Sequence, residues 1–240
     1  MASLRPIGSL ITRLALTAGL GLGIGMVPSP VRAQQPFLET EGTIVPAESV
    51  HTFEGHAGQV VTLTLDSEDF DPVLFLQNEA GEEIAFNDDF GGSLNSRIVI
   101  ELPADGTYRV VARSYSGNGG DFNLMVRLAT DYEVALAEAE ALANAERYTA
   151  AIEAYTAAIA LNPDQPLGYL GRAQATLGMV YLEQGLMIEG PEDLPAPARQ
   201  SIIADFEKAA DLVEADGDLN WATSLREQAA FLQGADGDDN

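Results

Sequence analysis

Carboxylates are the side chains best equipped for chemistry in this sequence. Asp69 and Asp71 stand in one short stretch, and Asn87, Asp88 and Asp89 in another. Hard oxygen donors carried on loops suit calcium. The same residue types also cap turns through side-chain-to-backbone hydrogen bonds, and residue type alone leaves both uses open. A second acidic run, Asp216-Gly217-Asp218-Leu219-Asn220 with Glu227 eleven residues after Asp216, has suitable donors at positions 1, 3, 5, 9 (Ser224) and 12 of an EF-hand loop. Position 6 is Trp221, where that loop needs glycine for its bend. The run therefore reads as a turn between helices, with Asp218 or Asn220 as N-cap.

Other chemistries lack parts. The 240 residues contain no Cys and two His, so thiolate metal sites, disulfides and cysteine nucleophiles are excluded. His51 and His56 flank Phe53 and Gly55 on an apparent strand and hairpin, and no Ser or carboxylate stands in a recognisable nucleophile motif. Gly117-Asn118-Gly119-Gly120 has no Lys-Ser/Thr or helix after it and reads as a hairpin turn rather than a phosphate loop. Twelve Lys and Arg face 37 Asp and Glu, a formal charge of −25. Nucleic-acid binding needs a basic face that this composition cannot supply. The expectation is a chain that is not an enzyme.

The first 33 residues hold Arg5, Arg13 and Arg32 and no acid, with the uncharged stretch Leu14 to Val27 and the small-residue end Val31-Arg32-Ala33. These are the three parts of a secretory signal peptide over 1–33. Its apolar run of fourteen residues is shorter than the ~20 that span a bilayer. No later segment reaches eighteen consecutive apolar residues, so the expected mature chain has no transmembrane segment and is exported, to periplasm or medium. Export also fits the lack of thiols.

Residues 37–129 alternate with period two. Val61, Leu63 and Leu65; Ile98, Ile100 and Leu102; Tyr108, Val110 and Ala112; and Phe122, Leu124 and Val126 form one-sided stripes separated by Gly-, Asn- and Asp-rich turns. Short strands at such spacing predict an antiparallel β-sandwich. The succession His51-Thr52-Phe53, Ala57-Gly58-Gln59-Val60, Phe70-Asp71-Pro72-Val73-Leu74-Phe75-Leu76, Asn87-Asp88-Asp89, Leu102-Pro103-Ala104-Asp105-Gly106-Thr107-Tyr108 and Gly120-Asp121-Phe122-Asn123-Leu124 resembles the bacterial pre-peptidase C-terminal domain. The resemblance implies a small jelly-roll-like sandwich over roughly 38–128, of a kind appended to exported proteins. It also implies calcium as a cofactor to consider at Asp69, Asp71, Asn87, Asp88 and Asp89, because some relatives bind it. The N-terminal linker that supplies ligands in collagen-binding relatives is not recognisable.

After Thr130 the rhythm changes. Residues 131–162 contain twelve Ala and no Gly or Pro, and helix propensity outweighs the partly alternating pattern. Tyr148, Ala151, Ile152, Tyr155, Ala158, Leu161 and Pro163 resemble the second helix of a tetratricopeptide repeat. Tyr169, Arg172, Ala173, Leu177 and Gly178, then Ile203, Phe206, Ala209 and Leu212, resemble a further unit. From Tyr155 to Phe206 is 51 residues instead of 34, an insertion of about 17 around Gly185–Gln200 with prolines at 191, 195 and 197. The prolines suit a stiff loop or a short extended ligand. The expected fold is thus a multidomain β + α chain: the sandwich, a short helical array over 131–234, and an acidic disordered tail over 235–240.

The repeat resemblance implies a groove lined partly by Tyr148, Tyr155, Tyr169, Arg172 and Tyr181, for a protein or peptide partner. The expected function is an exported interaction or scaffold protein, with the sandwich as accessory module. The competing reading is a polysaccharide- or protein-binding accessory module, or subunit of a secreted hydrolase, working through aromatic side chains of the sandwich.

Overall fold

Apolar side chains at every second position can all face one way only in extended chain. The computed structural model describes residues 36–44, 48–184 and 190–234. The expected signal peptide (1–33) and acidic tail (235–240) lie outside these. Eight strands run β1 Leu38–Ile44, β2 Ser49–Gly55, β3 Val60–Asp66, β4 Pro72–Gln77, β5 Glu83–Asn87, β6 Ser96–Glu101, β7 Gly106–Ser114 and β8 Gly120–Leu128. They form two four-stranded sheets, ordered β1-β8-β3-β6 and β2-β7-β4-β5. All pairings are antiparallel.

Val61, Leu63, Leu65, Phe122, Leu124 and Val126 from one sheet share a core with Phe53, Leu74, Leu76, Tyr108, Val110 and Ala112 from the other. The alternation expected for β3, β7 and β8 is thus the one observed. The β7–β8 connection is the expected turn, with Gly117 at φ 76°, where a side chain would be strained.

Immediately after β8, Thr130-Asp131-Tyr132-Glu133 opens helix α1 (Asp131–Asn144) as a capping box. The Glu133 amide donates to Thr130 Oγ1 (3.2 Å), and the Thr130 amide donates to Glu133 Oε2 (2.8 Å). Arg127 on β8 clasps the same carboxylate through both terminal nitrogens (2.7 and 2.6 Å), and Thr62 on β3 donates to it at 3.1 Å. Arg97 on β6 lies 3.9 Å away. Burial alone would push the Glu133 carboxyl up. The Arg127 hydrogen bonds, the Thr130 amide and the charges of Arg127 and Arg97 outweigh it and hold the group at about 2.

The helical unit, from residue 135 onward, continues with α2 Tyr148–Leu161, α3 Pro166–Gln184, a 3-10 turn Pro191–Asp193, α4 Ala196–Ala215 and α5 Leu219–Gln233. α2 packs on α3, α3 on α4 and α4 on α5. Ala173, Ile202, Phe206, Ala209, Ala210, Val213, Ala222, Leu225 and Leu232 form its core. α3 and α4 have 19 and 20 residues against 14 in α2.

Close approach of α2 and α3 depends on a missing side chain. A Cβ on Gly171 would lie 2.2 Å from the ring of Tyr155, which is 4% exposed and has no room to retreat. Gly171→Ala is expected to destabilise by ~1–3 kcal/mol through overpacking, despite the ~1 kcal/mol that Ala gains over Gly in a helix. Urea denaturation of the full chain measures this.

Glu133 yields a second expectation. Its folded value lies below the ordinary 4.5, so its contribution is complete above pH 4.5 and disappears as pH falls toward about 2. Glu133→Ala should cost ~3–5 kcal/mol at neutral pH by leaving a buried pair broken. It should also flatten the acid limb of the stability–pH curve.

Candidate functional site

The acidic stretches at 69–71 and 87–89 are held by different partners. Asp69 Oδ2 accepts from the Asp121 amide (2.7 Å), tying the β3–β4 connection to β8. Ser67 Oγ accepts from the amides of Asp69 and Phe70 and donates to the Asp121 carbonyl. Asn87 Oδ1 accepts from the Arg97 amide (2.9 Å), and its Nδ2 donates to the Asp89 carbonyl (3.1 Å). Ser96 Oγ donates to the carbonyls of Pro72 (2.6 Å) and Asn87 (3.0 Å).

The five-residue ligand set expected from the sequence is therefore not gathered as a coordination shell. Asp69 and Asn87 are spent on backbone amides, the alternative use of these residue types. Among the described residues no group of three or more His, Asp or Glu side chains is placed to hold a metal ion. Asp71 differs from its neighbours. Its Oδ1 is buried without a hydrogen-bond partner. Burial and then the charges of Asp89 and Asp88 push its carboxyl up.

Asp71 ionised is thus a small liability. Its folded value is raised, so the protonated form favours folding and the penalty grows as pH rises through the carboxylate range. Asp71→Asn should raise the melting temperature at neutral pH and leave it unchanged at acid pH, where the native group is already neutral. Differential scanning calorimetry at both pH values checks this.

The second acidic run is a turn. Asp218 caps α5, accepting from the Trp221 amide at 3.0 Å, and Gly217 takes φ 96°.

The five groove residues expected in the helical unit separate into different roles. Tyr155 is buried against Gly171 and presents nothing to a partner; the same small-residue contact that brings α2 and α3 together encloses it. Arg172 is an internal clamp, donating to Asp205 through Nη2 (2.6 Å) and Nε (3.0 Å) and to Thr156 Oγ1 (3.2 Å). Asp205 is 4% exposed, so that guanidinium is committed to neutralising a buried charge. Tyr169 lies beside Arg172 (5.8 Å) and donates its hydroxyl to the Pro163 carbonyl (3.2 Å). Tyr181 is half-buried, and burial pushes its phenol up.

Tyr148 alone of the five lines an open cleft of about 310 Å³, together with Glu146, Arg147, Thr149, Ala150, Met179, Leu182 and Glu183. Its ring packs where a Cβ on Gly178 would stand, 2.6 Å away. Met179 and Leu182 were not singled out from the sequence. The available signal was Leu177-Gly178-Met179-Val180-Tyr181-Leu182, which carries more apolar positions than one buried stripe requires.

Among the sandwich aromatics, Phe70, Tyr108 and Phe122 are core. Phe75 and Phe86 pair on the outer face (5.1 Å), with the Arg113 guanidinium 4.8 Å over Phe75.

Residues 48–114 match the family model of the bacterial pre-peptidase C-terminal domain. The match runs from the start of β2 to the end of β7, so β1 and β8, which complete the first sheet, lie beyond it. No curated protein matches the sequence. Among solved structures, the chain is similar to the pre-peptidase C-terminal domain of a Bacillus anthracis collagenase, with 15% identity over 40% of this chain and 98% of that one and a TM-score of 0.34. It is also similar to PliG of Aeromonas hydrophila, a periplasmic inhibitor of g-type lysozyme, with 18% identity over 43% and 93% of the two chains and a TM-score of 0.33. A Bacillus licheniformis lipase in propeptide form matches at 14% identity over 55% and 29%, with a TM-score of 0.31.

Proposed function

We propose that the chain is an exported, non-enzymatic interaction protein whose helical unit binds a protein or peptide, with the sandwich as an accessory binding or stabilising module. The observation that carries this reading is an open cleft with Met179 and Leu182 in its wall, on a strongly acidic helical unit. Residues 135–184 and 190–234 hold fifteen Asp and Glu against five Lys and Arg. Arg172 is spent on Asp205, and Arg226 on Asp211 (3.0 Å) and Glu214 (2.5 Å). Such a surface attracts a basic partner, and binding should weaken with salt.

We read the helices as tetratricopeptide-type and the sandwich as jelly-roll-like, and export as following from the signal peptide read at 1–33. The family match at 48–114 accords with an accessory module outside the cytoplasm.

Site-specific photocrosslinking in the native host tests the reading, with the crosslinker at Tyr169 in the helical unit and at Phe86 in the sandwich. A discrete adduct from position 169, reduced by high salt, is the expected result. Adducts only from position 86 would transfer the binding role to the sandwich.

A second reading, calcium binding by the sandwich, draws on Asp71, whose buried oxygen has no partner beside Asp88 and Asp89. Calcium would then stabilise the native chain by ~2.7 kcal/mol at a hundredfold excess over the dissociation constant and so raise its melting temperature, but not that of Asp71→Asn. Equal melting temperatures with and without calcium would end this reading.

A further inference from the structure

The cleft beside Tyr148 is shaped by three independent features. Its floor is apolar and adaptable: Met179 and Leu182 sit one turn apart on α3, and Thr149 Oγ1 donates to the Met179 sulfur at 3.8 Å. Unbranched thioethers accommodate varied apolar shapes. Leu182 is 62% exposed, so its side chain is accessible beside Met179.

Its rim is acidic. Glu146 and Glu183 outnumber Arg147 there, on a unit with threefold more acidic than basic residues. Its lip is the left-handed C-cap of α1: Glu146 takes φ 57°, and the amides of Glu146 and Arg147 donate to the carbonyls of Ala143 and Leu142 (2.9 Å each), which fixes the turn that leads into Tyr148.

About 310 Å³ is the lower end of the range for small-molecule sites, and this cleft is open rather than enclosing. It has room for a side chain or two of a larger partner, not for a sequestered cofactor. We infer that the cleft seats a long apolar side chain, Leu or Met, from a basic segment of a partner protein, with flanking Lys or Arg meeting Glu146 and Glu183. The apolar floor supplies the anchor, and the rim selects the charge of its neighbours. This rests on the partner-binding reading above and names the partner's chemistry.

The test uses the full chain with methyl-labelled methionine and the blocked hexapeptide Lys-Lys-Leu-Leu-Lys-Lys as probe. A saturable shift of the Met179 methyl is expected, absent with Glu-Glu-Leu-Leu-Glu-Glu and much smaller with Lys-Lys-Ser-Ser-Lys-Lys. Glu183→Lys should weaken binding by about fivefold, as expected for a surface ion pair at the upper end of its range, and Leu182→Asp should abolish the shift. Both positions are exposed, so an unchanged circular dichroism spectrum shows that the variants fold. No Met179 shift at millimolar probe, or equal shifts from all three peptides, overturns the inference. If the adduct at position 169 survives Leu182→Asp, the cleft assignment fails while the partner-binding reading stands.

Discussion

Glu133 is 7% exposed and yet held charged, because four groups converge on its carboxylate: both terminal nitrogens of Arg127, the amide and hydroxyl of Thr130, the hydroxyl of Thr62 and the nearby charge of Arg97. Three neighbouring strands, β8, β3 and β6, supply the side chains. One carboxylate thus fixes the outer face of a sheet, ends the last strand's excursion and starts a helix. Burying a charge is tolerable only when its partners are already in place. The register of the sheet and the first turn of α1 are therefore mutually dependent in the folded state.

The helical unit solves a different problem. Alanine and glycine bring helices close, and large rings fill what remains: Tyr155 against Gly171, Tyr148 against Gly178, Phe206 among Ala209, Ala210 and Ile202. Among the described residues its one deeply buried carboxylate, Asp205, is matched by Arg172, as Glu133 is matched by Arg127 in the sandwich. Each unit therefore carries a buried acid with an arginine in bidentate contact. Most of the other described acids line the surface, where water screens them, and set its electrostatic character.

That distribution bears on function. The basic groups that a casual count would offer to an acidic ligand are largely engaged within the chain, whereas apolar surface stands open beside Glu146 and Glu183. Packing is incomplete at Met179 and Leu182, away from the residues whose types look most reactive. The acidic stretches at 69–71 and 87–89 illustrate the contrast. Asp69 and Asn87 organise turns through backbone amides, and Asp71 is left with a buried oxygen that has no hydrogen-bond partner.

Periodicity is a local property, and everything that depends on it alone is legible in the chain: strands with Val61, Leu63 and Leu65 inward, helices after Thr130, the turn at Gly117, the cap at Asp218. The capping box Thr130–Glu133 was not singled out from the sequence, although its spacing is a local signature of a helix start. That its glutamate would also bind Arg127, Thr62 and Arg97 was not legible, because strands distant in sequence become neighbours only through sheet order. The same holds for Tyr155 and Arg172, whose types suit a binding groove but whose places across from Gly171 and Asp205 make them packing and clamp. It holds for Leu182 as well, since exposure belongs to the packed whole and not to any residue's spacing along the chain.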